Sequence, residues 1–204
     1  SGGLSIPRMG ATGFGYDIAR QFGLNVIPTR AALVPFTFTD GFKSLSEKLS
    51  GISHEAALAS VRNSFVENIL FTHRGPSGPA ALQLSSYWQE GEAIKLDLFP
   101  NQSCYDVLIN AKQESPKLLL RNLLSRHMAK KLVQELEGLL WPEEKEKPLT
   151  DISDQRLQQI AAQLSAWQLK PAGTEGYRTA EVTIGGVDCD EISSKTFESK
   201  KVPS

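Results

Sequence analysis

Cysteine is scarce in this chain of 204 residues. Only Cys104 and Cys189 occur, far apart and without CxxC spacing. That excludes a disulfide framework and a thiolate metal site, and it fits a reduced, cytoplasmic setting. No apolar run approaches the roughly 20 residues that cross a bilayer, so no membrane partner is expected. An excess of one charge is missing too: 22 basic residues face 23 acidic ones, a formal net charge of -1. Such a balance gives no overall nucleic-acid footprint, so no nucleic acid is expected as a partner. The opening residues lack the basic stretch and apolar core of a signal peptide. GxSxG, HExxH and Walker sequences are absent, as are repeats of solenoid type.

What is present is glycine at the ends of strand-like runs. Phe71-Thr72-His73-Arg74-Gly75-Pro76-Ser77-Gly78-Pro79 is one such junction, and Ala180-Glu181-Val182-Thr183-Ile184-Gly185-Gly186-Val187 is another. Junctions of this kind turn backbone N–H groups outward, where they hold an anion or a polar ring edge. A third glycine run, Gly10, Gly13 and Gly15, opens a helix expected over residues 13–22, with Thr12 as N-cap and Gly23 as its stop. Its spacing is not that of a dinucleotide fingerprint.

Hydrophobic periodicity predicts strands over 32–39, 56–61, 65–72 and 93–99. A helix is predicted from Pro79 toward Trp88, another over 103–113, and a third from the Ser115-Pro116 start signal. The apolar stripe of Leu132, Val133, Leu136 and Leu140 then precedes a charged, proline-bounded connector. Leu157, Ile160, Ala161, Leu164 and Trp167 mark a last helix, and strands follow over 178–184 and 196–202. The order strands, helices, strands predicts an α+β fold: a small β-barrel-like subdomain interrupted by a helical bundle.

The order of these motifs resembles the YhiN-type family of bacterial NAD(P)/FAD-dependent oxidoreductases, which includes BaiN-like enzymes. The motifs are Gly2-Gly3-Leu4-Ser5-Ile6-Pro7, the Gly10–Tyr16 turn, Phe71-Thr72-His73 with Gly75, and Ser77-Gly78-Pro79. Ser85-Ser86-Tyr87-Trp88, Ala180–Thr183 with Gly185-Gly186-Val187, 195–200 and Val202-Pro203 complete the series. The resemblance implies an insertion between two halves of a flavin-binding domain. Residues 1–29 and 181–204 would be flanks of that domain, 30–102 with 167–180 the barrel-like subdomain, and 103–166 the bundle. It also implies a GxGxxG segment before Ser1 and a second flavin segment after Pro203; the chain departs from the family pattern at Phe14, where many members carry an acidic residue.

On this reading the chain is the substrate-side insert of a flavoprotein oxidoreductase, covering the flavin and shaping the pocket for an unknown small-molecule substrate. Its first partner is then the flavin-binding domain of the same polypeptide. FAD is expected in the full-length protein and none in the isolated segment, which by itself is expected to be inactive. The resemblance points to His73 for acid–base work, whose ordinary pKa near 6.5 suits it. Gly10, Thr12, Gly13, Ser77, Gly78, Thr183, Gly185 and Gly186 are the expected cofactor contacts; each has a bland alternative as a turn, cap or β-bulge. No metal site is expected. His54 and His127 read as exposed polar residues, and Arg121, Arg126, Lys130 and Lys131 as a basic face open to an anionic ligand. Two other readings remain: an independent ligand- or protein-binding module, and a structural spacer.

Overall fold

The computed structural model describes residues 3–202. Ser1, Gly2, Pro203 and Ser204, which the expected flanks include at either end, lie outside them. A hairpin organises the main sheet. β3 (Ser53–Ala59) and β4 (Ser64–Phe71) pair antiparallel from Ser53↔Leu70 to Ala59↔Ser64. The turn between them closes when Ser60 N–H donates to the Asn63 carbonyl. β5 (Pro76–Ser77), β6 (Ile94–Asp97) and β7 (Trp167–Leu169) extend the hairpin to a five-stranded sheet of order β5-β4-β3-β6-β7, curled as a half-barrel. Alternation places Ala56, Leu58, Ile69, Phe71, Ile94 and Leu96 inward.

Seven α-helices occur among the described residues. α1 is Phe14–Gln21, α2 Gly41–Lys48 and α3 Pro79–Ser85. The helical region holds α4 (Cys104–Glu114), α5 (Leu120–Leu124), α6 (Lys130–Leu140) and α7 (Asp154–Ser165). Ser103 and Ser153 cap α4 and α7 by accepting from the N–H groups of Asp106 and Arg156. One contiguous set of buried side chains runs from Phe36 and Phe71 in the sheet to Leu124, Leu136 and Trp141 among the helices. The α+β architecture is therefore as expected.

Several local expectations are corrected. The run 32–39 is two strands, β1 (Val26–Ala32) and β2 (Phe36–Thr37), parted at Leu33, whose φ is 46°. Ser115-Pro116 starts no helix. Pro116 and Leu118 instead accept from the N–H groups of Thr150 and Leu149, and this holds the chain extended until α5. Trp167 leaves the last helix and enters β7. Residues 196–202 form no strand beyond one bridge, Ile192↔Ser199. The expected strand 178–184 begins later, as β9 (Val182–Val187), which pairs with β1; β8 (Gly173–Thr174) pairs with β2.

Candidate functional site

The β1–β9 ladder brings the two ends of the described chain together. Leu4 N–H and Ser5 N–H donate to Thr183 Oγ1 at 2.9 and 3.1 Å, and the Ser5 hydroxyl lies 2.9 Å from the same oxygen. Gly186 lies under the Tyr16 ring, 3.3 Å from where a β-carbon would stand. Gly185 has φ 87°, and a β-carbon there would meet the Pro28 carbonyl oxygen at 2.3 Å. The register explains this. Ile27 pairs with Gly186 and Arg30 with Ile184, so three steps on β1 oppose two on β9. That mismatch is a β-bulge, where glycine is the residue that fits.

The segment after β9 folds back beside the start of β1. Glu191 accepts from Asn25 N–H at 2.8 Å and pairs with Lys201, while Asp188 N–H donates to the Asn25 carbonyl at 2.9 Å. The bond from Lys201, and then that from Asn25, holds the Glu191 carboxyl below its usual range. Ile18, Phe22, Leu24, Val187, Ile192 and Val202 line an apolar hollow of about 380 Å³ here. Phe22, in its wall, is 55% exposed; Phe14, which begins α1, is 66% exposed, and Met9, ahead of it, 83%.

The other expected contacts lie elsewhere. His73 sits exposed in the β4–β5 turn, with no hydrogen-bond partner for its ring among the described residues. The turn is held by its neighbours: Thr72 Oγ1 donates to the Gly75 carbonyl at 2.8 Å. Ser77 is paired with Leu70 on β5, and Gly78 lies 2.8 Å, at its notional β-carbon, from Asn68 O and Leu70 N. No hydrogen bond joins the residues of this turn to the Thr183 cluster among the described residues. Gly10 ends a short 3-10 helix with open space beside it, and Thr12 and Gly13 lead into α1.

The molecule also has two polar clefts. In the first, Arg30 lies beside the end of α3 and donates to the Ser85 carbonyl at 3.3 Å and to that of Ser86. In the second, of about 170 Å³, His127 Nδ1 is 3.3 Å from Gln102 Nε2 and the His127 ring centre is 5.7 Å from that of Phe99. His54 is half-buried there, with Nε2 2.9 Å from the Leu98 carbonyl, which corrects the exposed setting expected for it. Arg121 is not a free cation: it forms a bidentate pair with Glu146 at 2.9 and 3.0 Å and lies 3.6 Å from buried Glu137. Arg126, Lys130 and Lys131 are exposed and have no ion pair among the described residues. No group of three His, Cys, Asp or Glu side chains there is arranged to hold a metal.

Of the expected glycine contacts, Gly78, Gly185 and Gly186 are closed by the chain's own atoms, whereas Gly10 and Gly13 are open. Tyr16, Ser5 and Arg30 carry geometry that sequence spacing did not single out, because each acts through a partner distant in the chain.

Residues 30–182 match the family described as HI0933-like protein barrel and H2TH domain. The chain is 48% identical over 206 residues to a protein of Haemophilus influenzae named ribosomal RNA dihydrouridine synthase, covering 99% of this chain and 50% of that protein. A protein of the same name from Escherichia coli K12 is 46% identical, with 100% of this chain and 50% of the relative covered. The chain thus spans about half the length of the curated relatives it matches. No helix among the described residues is long and apolar enough to cross a membrane.

Proposed function

Because the chain belongs to the HI0933-like flavoprotein family, with its barrel and H2TH domain matched, we propose that it is the substrate-side part of a flavin-dependent enzyme that reduces uridine in ribosomal RNA. The observation that carries this is the apolar surface at the β1–β9 end. Ile18 and Phe22 stand exposed in the wall of one hollow, Phe14 is exposed at the start of the same helix, and Met9 is exposed just before it. An apolar face of this kind marks an interface. The other half of the polypeptide, bearing the flavin, is the occupant that fits, since the relatives are about twice as long. FAD, when bound there, supplies the hydride chemistry. The open Gly10 turn and the Ser5–Thr183 cluster would hold it from this side, in a cytoplasmic protein whose ultimate electron donor is NAD(P)H.

The RNA substrate replaces the small molecule and the absent nucleic acid expected from composition. Net charge averages over a surface, whereas Arg126 in the α5–α6 connection and Lys130 and Lys131 at the start of α6 are cations with no ion pair among the described residues. Those cations also favour a second reading, an independent module for an anionic ligand. His73, exposed and with no hydrogen-bond partner for its ring among the described residues, is the acid–base candidate of the first reading. The test is to purify the full-length protein and the isolated chain, record flavin absorbance, and incubate each with ribosomal RNA. Flavin in the full-length protein alone, with a mass gain of two hydrogens on a uridine, is the expected result. Stoichiometric flavin in the isolated chain, or unchanged RNA with the flavin-loaded protein, overturns the reading.

A further inference from the structure

The cleft between β1 and the end of α3 has no part in the reading so far. It encloses about 440 Å³, with Arg30, Arg62, Tyr87, Gln89 and Glu90 in its lining. Pockets for small ligands run from about 300 to 1,000 Å³. Tyr87 is 46% exposed, yet its ring is not loose. Phe65 braces it with centroids 5.7 Å apart and planes at 30°. A braced, half-exposed ring is a ready face for another flat ring.

Arg30 is equally fixed. Two of its nitrogens donate to the Ser85 and Ser86 carbonyls. A guanidinium has five N–H donors, so others are left for an anion. The floor is rigid too. Ser86 Oγ accepts from Leu33 N–H at 3.4 Å, and Ser85 Oγ accepts from Val34 N–H at 3.0 Å, where Leu33 is held at φ 46°. Positive φ at a non-glycine residue persists where its surroundings enforce it. Among the acids, Glu92 is engaged by Gln89 N–H at 3.0 Å and by Arg62 at 3.8 Å. Glu90 remains on the rim, exposed.

We propose that this cleft seats one nucleotide of single-stranded RNA, its base stacked on Tyr87 and its phosphate on Arg30. The inference rests on the RNA reading above. Proteins take unpaired bases on aromatic faces, and enzymes that act on a base hold it out of its stack. Position supports the assignment as well. Arg30 pairs with Ile184, next to Gly185, so the cleft adjoins the ladder assigned to face the flavin-bearing half.

The test is binding of a fluorescein-labelled oligouridine to the flavin-loaded full-length protein, with a base-free phosphodiester strand of equal length as the second probe. Tyr87→Ala is expected to weaken oligouridine about tenfold, the effect of losing one stacked base, and to leave the base-free strand unaffected. Tyr87→Phe should restore binding. Arg30→Lys should weaken both probes. Because Arg30 also anchors α3, its melting curve is recorded, and Tyr87→Ala decides the matter if that variant unfolds. Equal oligouridine affinity in wild type and Tyr87→Ala overturns the cleft and leaves the RNA reading standing. So does a wild type that reduces ribosomal RNA but holds both probes equally. A flavin-loaded wild type that changes no ribosomal RNA overturns the reading beneath it.

Discussion

At the scale of single residues, burial separates the two thiols. Cys104 begins α4 fully buried, and desolvation, with the nearby charge of Asp97, pushes its pKa up to about 12. Cys189 is exposed. A disulfide-exchange reagent at about pH 8 is expected to titrate one thiol quickly in the native protein and two after denaturation, since the thiolate is the reacting form. Two fast native equivalents would contradict the packing assigned to Cys104. The packing role of this residue was legible in the sequence because nothing near it resembles a metal or redox spacing. The burial of His54 was not, because its partner, the Leu98 carbonyl, is 44 positions away.

At the scale of elements, periodicity located most helices, although α1 is capped at Gly13 and not at the Thr12 expected. It failed where a tertiary bond overrode a local signal. Ser115-Pro116 has the residues of a helix start, but hydrogen bonds from 149–150 claim the backbone that follows. β2, β5 and β8 are two residues each, too short for any period to show. The helices are tied by a device equally invisible in one dimension. Arg156 on α7 donates to the Leu140 carbonyl at the end of α6 at 2.9 Å and to buried Glu144 at 3.1 Å. Arg156→Met leaves that carboxylate without its partner. Breaking a buried pair costs about 3–5 kcal/mol; with the arginine side chain 29% exposed, a loss of about 2 kcal/mol is expected. That corresponds to a fall in Tm of about 4–8 °C. Adding Glu144→Gln should recover most of it, and a melting curve unmoved by Arg156→Met would show that the pair is not structural.

At the scale of the whole molecule, the apolar end is the feature that composition concealed. Forty per cent hydrophobic residues is ordinary, and only folding shows that Phe14 and Phe22 remain outside the core. Replacing both with serine should keep the isolated chain monomeric where the wild type self-associates. In the full-length protein the same pair should lower flavin content, since each buried phenylalanine contributes about 2 kcal/mol to docking. Gel filtration and flavin absorbance read the two effects; no change in either would free this surface of any interface role. The bulge opposite Gly185 has a longer reach. A ladder anchored at Ile27 and Gly186 without the extra residue would set Thr29, not Arg30, across from Ile184. The pleat would then run in opposite phase, and the guanidinium would point away from the α3 carbonyls it now clasps. A missing side chain on β9 thereby dictates which residue, more than 150 positions earlier, stands guard at the cleft.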